Sequence, residues 1–357
     1  MSTATTAAFE RLLRALPTIP QGTELILRPG ESTSTATLRC DGAPPRVFAT
    51  AADMVQELHP NADGALPGAA VLADAEALAT LLSAHVGAVT AADVVAWRPG
   101  RRAVVRITGA DGHVQWLKLL DRKTWRRART AFVVVRSALA PIRLMTPIAL
   151  FDDVCGYLAP SAPGVSLRSL LAADAELPWT TIARSVLALG YTQQDGELPT
   201  FDFERARAST IAGLRQGEHL RPELADLIDA VAGLTAPEPP TRPGFVHGDL
   251  HDKQLFLSEH GTAVIDLEGM ARGDVRLDVA NLAEHLRLRD LQQLGHDRGL
   301  GDQLLARCGH AADDRAVRAF RALVRARLCG VYALRPRWRA LVGHLHLETS
   351  QLLEGLS

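Results

Sequence analysis

The chain has 357 residues, of which 47% are hydrophobic and 22% charged, and its formal net charge at pH 7 is -1. This length suits two packed lobes better than one small domain, and the composition argues against extensive disorder. The small net charge and the short apolar runs predict neither a nucleic-acid partner nor a membrane span, which needs roughly 20 apolar residues.

The first 90 residues predict an accessory subdomain that carries no chemical motif. We expect a helix over Thr6–Leu16 and a second over Ala75–Ala84. Glycine and proline separate them from three short β-like runs, which are Leu25–Arg28, Ala36–Arg39 and Arg46–Phe48.

Residues 91–160 predict a small antiparallel β lobe. Three strand-like runs, Val94–Trp97, Ala103–Thr108 and Val114–Leu120, are separated by turn sequences and form a β-meander. A helix is expected over Lys123–Ala140, followed by two further β-like runs, Pro147–Phe151 and Gly156–Leu158.

Residues 161–357 predict a larger helical lobe with one small hairpin. The hairpin strands are expected at Leu255–Leu257 and Ala263–Leu267. The predicted fold class is therefore α+β, with a β lobe before a helical lobe.

The N-terminal sequence has no basic stretch followed by an apolar core, so we expect no secretory signal and a soluble, cytoplasmic protein. Its four cysteines are widely scattered, which predicts reduced structural residues. The His and Cys positions show no spacing typical of zinc.

The segment HGDLHDKQ (His247–Gln254) and the VID that ends at Asp266 carry the chemistry. Phosphoryl transfer to a hydroxyl needs a carboxylate to receive the proton and oxygen ligands that hold Mg²⁺ against the phosphates. Asp249 can be the carboxylate that receives the proton, while Gln254 and Asp266 offer metal ligands. The spacing therefore predicts a kinase that phosphorylates a hydroxyl group of a small molecule.

These motifs resemble the aminoglycoside phosphotransferase family and its choline-kinase and sugar-kinase relatives, whose loop reads HGDLHxxN. The resemblance covers about residues 93–290 and is strongest over 245–283. It implies a bilobal protein-kinase-like fold that uses ATP and Mg²⁺. Carried over by position, it implies that Asp249 is the catalytic base and that Asp266 binds metal.

In the same way, Asp274 and Asp278 are expected to brace the catalytic loop, and His247 and His251 to orient it.

The nucleotide is expected to contact the β-meander. WRPGRRAVVRI resembles the family's first hairpin, which lies over the nucleotide and here contains one glycine, Gly100. The chain has only three lysines, and Lys118 in the third strand is expected to bind the phosphates, where an arginine is not equivalent. Lys253 can equally approach the transferring phosphate or remain a solvated loop residue.

Two features depart from the family pattern. Gln254 replaces the usual Asn, as in the maltose-kinase and related sugar-kinase branch. Members of that branch carry an N-terminal cap, and the resemblance implies that residues 1–90 could be such a cap. No Glu occurs between Asp121 and Ala175 to pair with Lys118, and Glu57 and Glu76 are remote candidates. The alternative is therefore a catalytically degenerate kinase fold that acts as a binding or regulatory module.

The acceptor is expected to be a sugar, an aminoglycoside or another antibiotic or metabolite. From Met270 onward the chain has fourteen Arg and ten acidic residues. A polycationic acceptor needs an acidic pocket, so a neutral, sugar-like acceptor is at least as well supported. The sequence does not predict an oligomeric state.

Overall fold

The computed structural model describes residues 3–30, 33–40, 43–51, 54–135, 142–190, 198–240 and 242–356. The chain divides into two compact units. One comprises Met1–Arg129, Pro147–Ser161 and Leu334–Arg337, and the other comprises Thr130–Thr146, Ala162–Ala333 and Trp338–Ser357.

The α-helices are α1 (Thr3–Ala15), α2 (Ala75–Val86), α3 (Arg122–Val135), α4 (Leu167–Ala172), α5 (Trp179–Gly190), α6 (Phe203–Glu218), α7 (Ala225–Ala232), α8 (Arg276–Leu294), α9 (Leu300–Arg307), α10 (Arg315–Ala333) and α11 (Arg339–Leu353). The strands are β1 (Glu24–Arg28), β2 (Thr35–Arg39), β3 (Arg46–Ala51), β4 (Met54–Leu58), β5 (Val89–Arg98), β6 (Arg102–Gly109), β7 (Val114–Leu120), β8 (Arg143–Leu144), β9 (Ala149–Phe151), β10 (Gly156–Pro160), β11 (Val165–Ser166), β12 (Gly244–Val246), β13 (Leu255–Ser258), β14 (Gly261–Val264) and β15 (Ala271–Gly273). Short 3-10 helices cover Pro60–Ala62, Ala69–Leu72, Pro222–Leu224, Leu267–Gly269 and Pro336–Trp338.

The first unit contains a four-stranded antiparallel sheet in the order β1-β2-β3-β4. The three predicted β-like runs are confirmed as β1, β2 and β3. We did not predict β4, because its sequence MVQEL does not alternate apolar and polar residues. The strand lies at the edge of the sheet, where burial imposes little alternation. Residues 1–90 cluster with the strands that follow them, and their role as a cap stays a prediction.

The second sheet of this unit has the order β5-β6-β7-β10-β9. It confirms the predicted meander and adds β10 beside β7 in antiparallel register. Its buried face includes Trp97, Val105, Leu117, Leu119 and Leu158. Leu117 and Leu119 lie two apart in β7, as the twofold period of a strand requires. Val105 and Leu158 face Leu117 from the neighbouring strands.

Helix α3 follows β7 and ends at Val135 in the described part of the chain. The rest of the helix predicted over Lys123–Ala140 lies outside the described residues.

The second unit is mainly helical. Helix α10 packs against α6, α8 and α11 around a large apolar core. Two small sheets accompany the helices, one in the order β11-β13-β14-β8 and the other formed by β12 and β15. Antiparallel sheets in the N-terminal part and helices in the C-terminal part confirm the predicted α+β class.

The predicted hairpin forms between β13 and β14, but its second strand ends earlier than expected. It ends at Val264, and Asp266 adopts a left-handed conformation with φ 64°. A strand residue cannot keep that φ, so the strand cannot extend to Leu267.

Within the described ranges, no helix combines the length and apolar character needed to cross a membrane.

Candidate active site

The catalytic loop, defined here as His247–Gln254, connects β12 to β13 in the second unit. Strand β12 pairs with β15, with Val246 opposite Ala271, and this fixes the start of the loop. Gly248 has φ 80°, and a Cβ there would lie 3.2 Å from the Gly269 carbonyl oxygen. The sharp turn before Asp249 thus requires glycine, because other residues are strained at this φ and the space is narrow.

Asp278 on α8 holds the first part of the loop. The backbone N–H of His247 donates to its Oδ2 at 2.6 Å, and that of Gly248 donates to its Oδ1 at 2.9 Å. Burial raises the pKa of this carboxyl, against the attraction of His247 and the two backbone donors. The prediction that Asp278 braces the loop is confirmed, whereas Asp274 pairs with Arg276 instead.

Asp249 forms an ion pair that the sequence did not reveal. Arg327 on α10 donates from Nη1 to Asp249 Oδ1 at 2.6 Å and from Nη2 to Asn281 Oδ1 at 2.8 Å. Asn281 in turn donates to the carbonyl oxygen of Leu250 at 2.6 Å. This chain of contacts fixes the orientation of the Arg327 guanidinium beside the carboxylate.

The ion pair keeps Asp249 ionised. Desolvation by the surrounding protein is the largest single influence and opposes ionisation. The charge and hydrogen bond of Arg327, together with the nearby His251 and His247, outweigh it, so the pKa of Asp249 lies below its ordinary value. The side chain is 48% exposed, so water screens part of this attraction. Among the residues that the structure describes, only Arg327 donates to this carboxylate, which leaves Oδ2 available to an acceptor hydroxyl.

Gln254 and Asp266, the predicted metal ligands, are linked through Ile265. The N–H of Ile265 donates to the Gln254 carbonyl oxygen at 3.1 Å, and its carbonyl oxygen contacts His247 Nε2 at 2.8 Å. The backbone immediately before Asp266 is therefore tied to both ends of the catalytic loop. His247 orients the loop, as predicted.

The two candidate metal ligands differ in burial and in backbone conformation. Gln254 is buried, and its Oε1 accepts a hydrogen bond from the His251 N–H at 3.0 Å. An amide oxygen has a second lone pair, so this bond still permits metal coordination. Asp266 is partly exposed and adopts its left-handed conformation at a penalty on the order of 1 kcal/mol, as strained residues at functional sites often do.

A buried carboxylate, Asp252, organises the second half of the loop. Arg289 donates from Nε to Asp252 Oδ2 at 2.7 Å, and Arg168 Nη1 lies 3.8 Å from the same oxygen. The Nδ1 atoms of His251 and His285 lie 3.8 and 3.9 Å from Asp252 Oδ1.

His251, Asp252 and His285 could hold a metal ion by composition. Two features disfavour a divalent cation there: Asp252 already pairs with Arg289, and further cationic side chains lie nearby. Burial first, then the neighbouring charged side chains, lower the pKa of His285 well below its ordinary value, so its imidazole is neutral at pH 7.

One face of α8 contacts almost the whole loop. Asp278, Asn281, His285 and Arg289 are three or four residues apart, so they lie on one side of the helix. They contact, in order, His247 and Gly248, then Leu250, and finally Asp252. The signal that could have revealed this face was a run of polar residues at helical spacing in a buried helix.

Lys118 and Gly100 lie in the first unit. Lys118 is in the central strand β7, is only 9% exposed, and its Nζ lies 5.6 Å from the centre of the Tyr157 ring. Of the remote candidates for its carboxylate partner, Glu57 pairs with Arg46 at 2.7 Å, and Glu76 is exposed.

Gly100 forms the β5–β6 turn with φ 66°. Its N–H donates to Asp63 Oδ2 at 2.7 Å, and the Trp97 indole donates to the same oxygen at 3.0 Å. Asp63, which we did not predict as a site residue, therefore stabilises this turn and accepts the hydrogen bond of the Gly100 N–H.

Comparisons with known proteins test the fold. The model of a phosphotransferase enzyme family matches residues 42–341. A thermostable mutant of aminoglycoside phosphotransferase APH(4)-Ia, in apo form, has a TM-score of 0.53 and 13% identity over 77% of this chain and 98% of that chain. APH(3'')-Id from Streptomyces rimosus ATCC10970 has a TM-score of 0.51 and 20% identity over 72% and 98%.

A variant of APH(4)-Ia in ternary complex with AMP-PNP and hygromycin B has a TM-score of 0.51 and 13% identity over 78% of this chain and 97% of that chain. At these identities the likenesses show the fold. The predicted kinase-like fold is therefore confirmed.

Proposed function

The chain belongs to the phosphotransferase enzyme family, and from this premise we propose that it transfers the γ-phosphoryl group of ATP to a hydroxyl group of a small molecule. The observation that carries the proposal is Asp249 on a loop braced by Asp278, with one carboxylate oxygen open to an acceptor. The complex of a structural neighbour with AMP-PNP and hygromycin B supports a nucleotide donor and a small-molecule acceptor.

Asp249 acts on the acceptor hydroxyl. Its Oδ2 accepts the hydrogen bond of the hydroxyl, and receives the proton as the acceptor oxygen bonds to the γ-phosphorus and the bond to the ADP oxygen breaks. Because Arg327 lowers the pKa of Asp249, the carboxylate is a weak base that orients the hydroxyl first. Phosphoryl transfer tolerates a weak base, since its transition state is loose and depends mainly on positioning and charge stabilisation.

Gln254 and Asp266 would hold Mg²⁺. Both offer oxygen atoms, the ligand type that Mg²⁺ prefers, and Ile265 ties them together through the backbone. When bound, the ion would neutralise phosphate charge and position the phosphates for transfer. The hydrogen bond from the His251 N–H keeps the Gln254 amide in one orientation, with its oxygen directed toward the loop.

Lys118 would bind the nucleotide phosphates from the first unit, where its burial in β7 limits its freedom. Gly100 would contribute through the shape of the β5–β6 turn, because its own N–H is already used by Asp63. Lys253 is exposed on the loop and could contact either the transferring phosphate or the acceptor.

Calorimetric titration with ATP, with and without Mg²⁺, tests this proposal on the wild type and on Asp266→Asn. Asparagine tolerates the left-handed conformation, so the substitution removes the charge with little added strain. We expect Mg²⁺ to strengthen ATP binding to the wild type. In Asp266→Asn, the Mg²⁺-dependent increase in ATP affinity should be at least about tenfold smaller. Asp313→Asn, at an exposed position, is the matched control.

If the wild type binds no ATP at millimolar concentration, the proposal is wrong. The catalytically degenerate binding module would then be favoured.

A further inference from the structure

Cationic side chains from three segments converge on the second half of the catalytic loop. Lys253 is exposed on the loop itself. Arg168, in the first turn of α4, donates its backbone N–H to the Asp252 carbonyl oxygen at 2.8 Å and places Nη1 3.8 Å from Asp252 Oδ2. Arg289 comes from α8 and donates to Asp252 at 2.7 Å.

One carboxylate serves these three cations. Asp252 is fully buried, and its nearest partner is Arg289. Arg168 Nη1 is buried but has no hydrogen-bond acceptor among the described residues, although its side chain as a whole is 34% exposed. A buried guanidinium donor without an acceptor is unfavourable, and a rotation of this partly exposed side chain toward a bound anion would satisfy it.

The charges affect one another as a group. Lys253 directly follows Asp252 in the chain, and Arg168 and Arg289 both approach the Asp252 carboxylate. Desolvation and the charge of Arg289 lower the pKa of Arg168. Crowded cations of this kind favour a negatively charged ligand, because a bound anion attracts each cation and offsets the repulsion between them.

A fourth cation, Arg327, contacts the first half of the loop. Arg327 is 36% exposed and contacts Asp249, which is four residues before Lys253. Asp249 and Asp252 together face Arg168, Lys253, Arg289 and Arg327 in these contacts. In these contacts cations outnumber carboxylates, which favours an anionic acceptor over an amino cation.

We propose that the acceptor carries an anionic group, a phosphate monoester or a carboxylate, close to the hydroxyl that is phosphorylated, and that Arg168 and Lys253 bind this group. The proposal rests on the proposed function and names the class of its acceptor: an anionic polyhydroxy compound. Arg168 supplies a fixed, directional donor, and Lys253 supplies a mobile charge at the surface.

Four ligands that share one sugar ring test the charge preference: glucose, glucosamine, glucuronate and glucose 6-phosphate. Binding to the full chain is measured by calorimetry at constant ionic strength with Mg²⁺ and ADP at saturation. We expect glucuronate or glucose 6-phosphate to bind at least about tenfold more tightly than glucose, with glucosamine weakest. The two anionic ligands distinguish a carboxylate site from a phosphate site.

Sulfate provides a probe that does not depend on the sugar scaffold. We expect sulfate to bind the wild type under the same conditions, and expect Arg168→Gln with Lys253→Gln to weaken sulfate and the preferred anionic sugar at least about tenfold. ADP affinity should stay unchanged in this double variant. Arg184→Gln, at an exposed arginine of α5, is the control for general loss of positive charge.

The proposal is overturned if the anionic sugars bind no more tightly than glucose, including when none binds, or if the double variant binds sulfate as the wild type does. If nucleotide binding is normal and glucose or glucosamine is preferred, only this inference fails. If no nucleotide binds, the phosphotransferase function itself fails.

Discussion

Replacing Asp278 by asparagine tests how the fold positions the catalytic loop. The carboxylate is 2% exposed and accepts two backbone hydrogen bonds, from His247 at 2.6 Å and from Gly248 at 2.9 Å. An asparagine of the same shape can accept only one of them, because its amide nitrogen faces the other donor. One buried N–H then lacks an acceptor, which costs about 1–3 kcal/mol of the free energy of unfolding.

The same change should reduce turnover. Gly248 directly precedes Asp249, and a displacement near 1 Å at a reacting group can lower the rate about 100-fold. We expect turnover to fall about 10-fold to 100-fold while the fold is retained. Urea unfolding followed by circular dichroism measures stability, and ADP release measures turnover, with Asp313→Asn as control. Unfolding within about 0.5 kcal/mol of the wild type, together with unchanged turnover, would refute the role of Asp278.

Two further predictions concern ion pairs of the second unit. Arg327→Met removes a cation that lowers the pKa of Asp249, so the acidic limb of the turnover–pH profile should move to higher pH. Rate measurements from pH 4 to pH 8 would show this shift. An unmoved limb would contradict this pairing. Glu284 is buried against Arg321 at 2.6 Å and Arg325 at 2.7 Å, so Glu284→Leu should destabilise the protein by about 3–5 kcal/mol in urea unfolding. Burial would raise the pKa of Glu284, but the two arginines hold it below the ordinary value. The contribution of Glu284 to the free energy of unfolding is therefore present at neutral pH, and it is lost as the pH falls below about 4.5 through the lower folded pKa. An equal destabilisation by Glu284→Leu at pH 7 and at pH 3 would count against this pairing.

The sequence predicted elements that depend on local patterns. The β-meander followed from alternation and turn residues, and β7 has the predicted bounds, Val114–Leu120. Asp278 could be predicted as a brace because it lies in a recognisable segment. The end of β14 at Val264 was missed, since nothing in the residues around Asp266 signals a left-handed conformation at a position that is not glycine.

The contacts that complete the site were beyond reach of the sequence because they join distant segments. Arg327 contacts Asp249 across 78 positions, and Arg289 contacts Asp252 across 37. Packing of α8 and α10 against each other and around the loop creates these pairs. Helical spacing in α8 can indicate which polar residues share a face, but it does not indicate which segment that face contacts. For the same reason the grouping of His251, Asp252 and His285 was not expected from a search for zinc spacing.

The most direct test of the central claim is acceptor-dependent ADP release by the wild type and by Asp249→Asn, over a panel of sugars, sugar phosphates and aminoglycosides. Asparagine still offers an oxygen to Arg327 but cannot receive the hydroxyl proton. The proposed mechanism predicts that at least one acceptor stimulates wild-type ADP release and that Asp249→Asn loses at least about 100-fold of turnover with ADP affinity nearly unchanged. Full activity of Asp249→Asn on the same acceptor would contradict it.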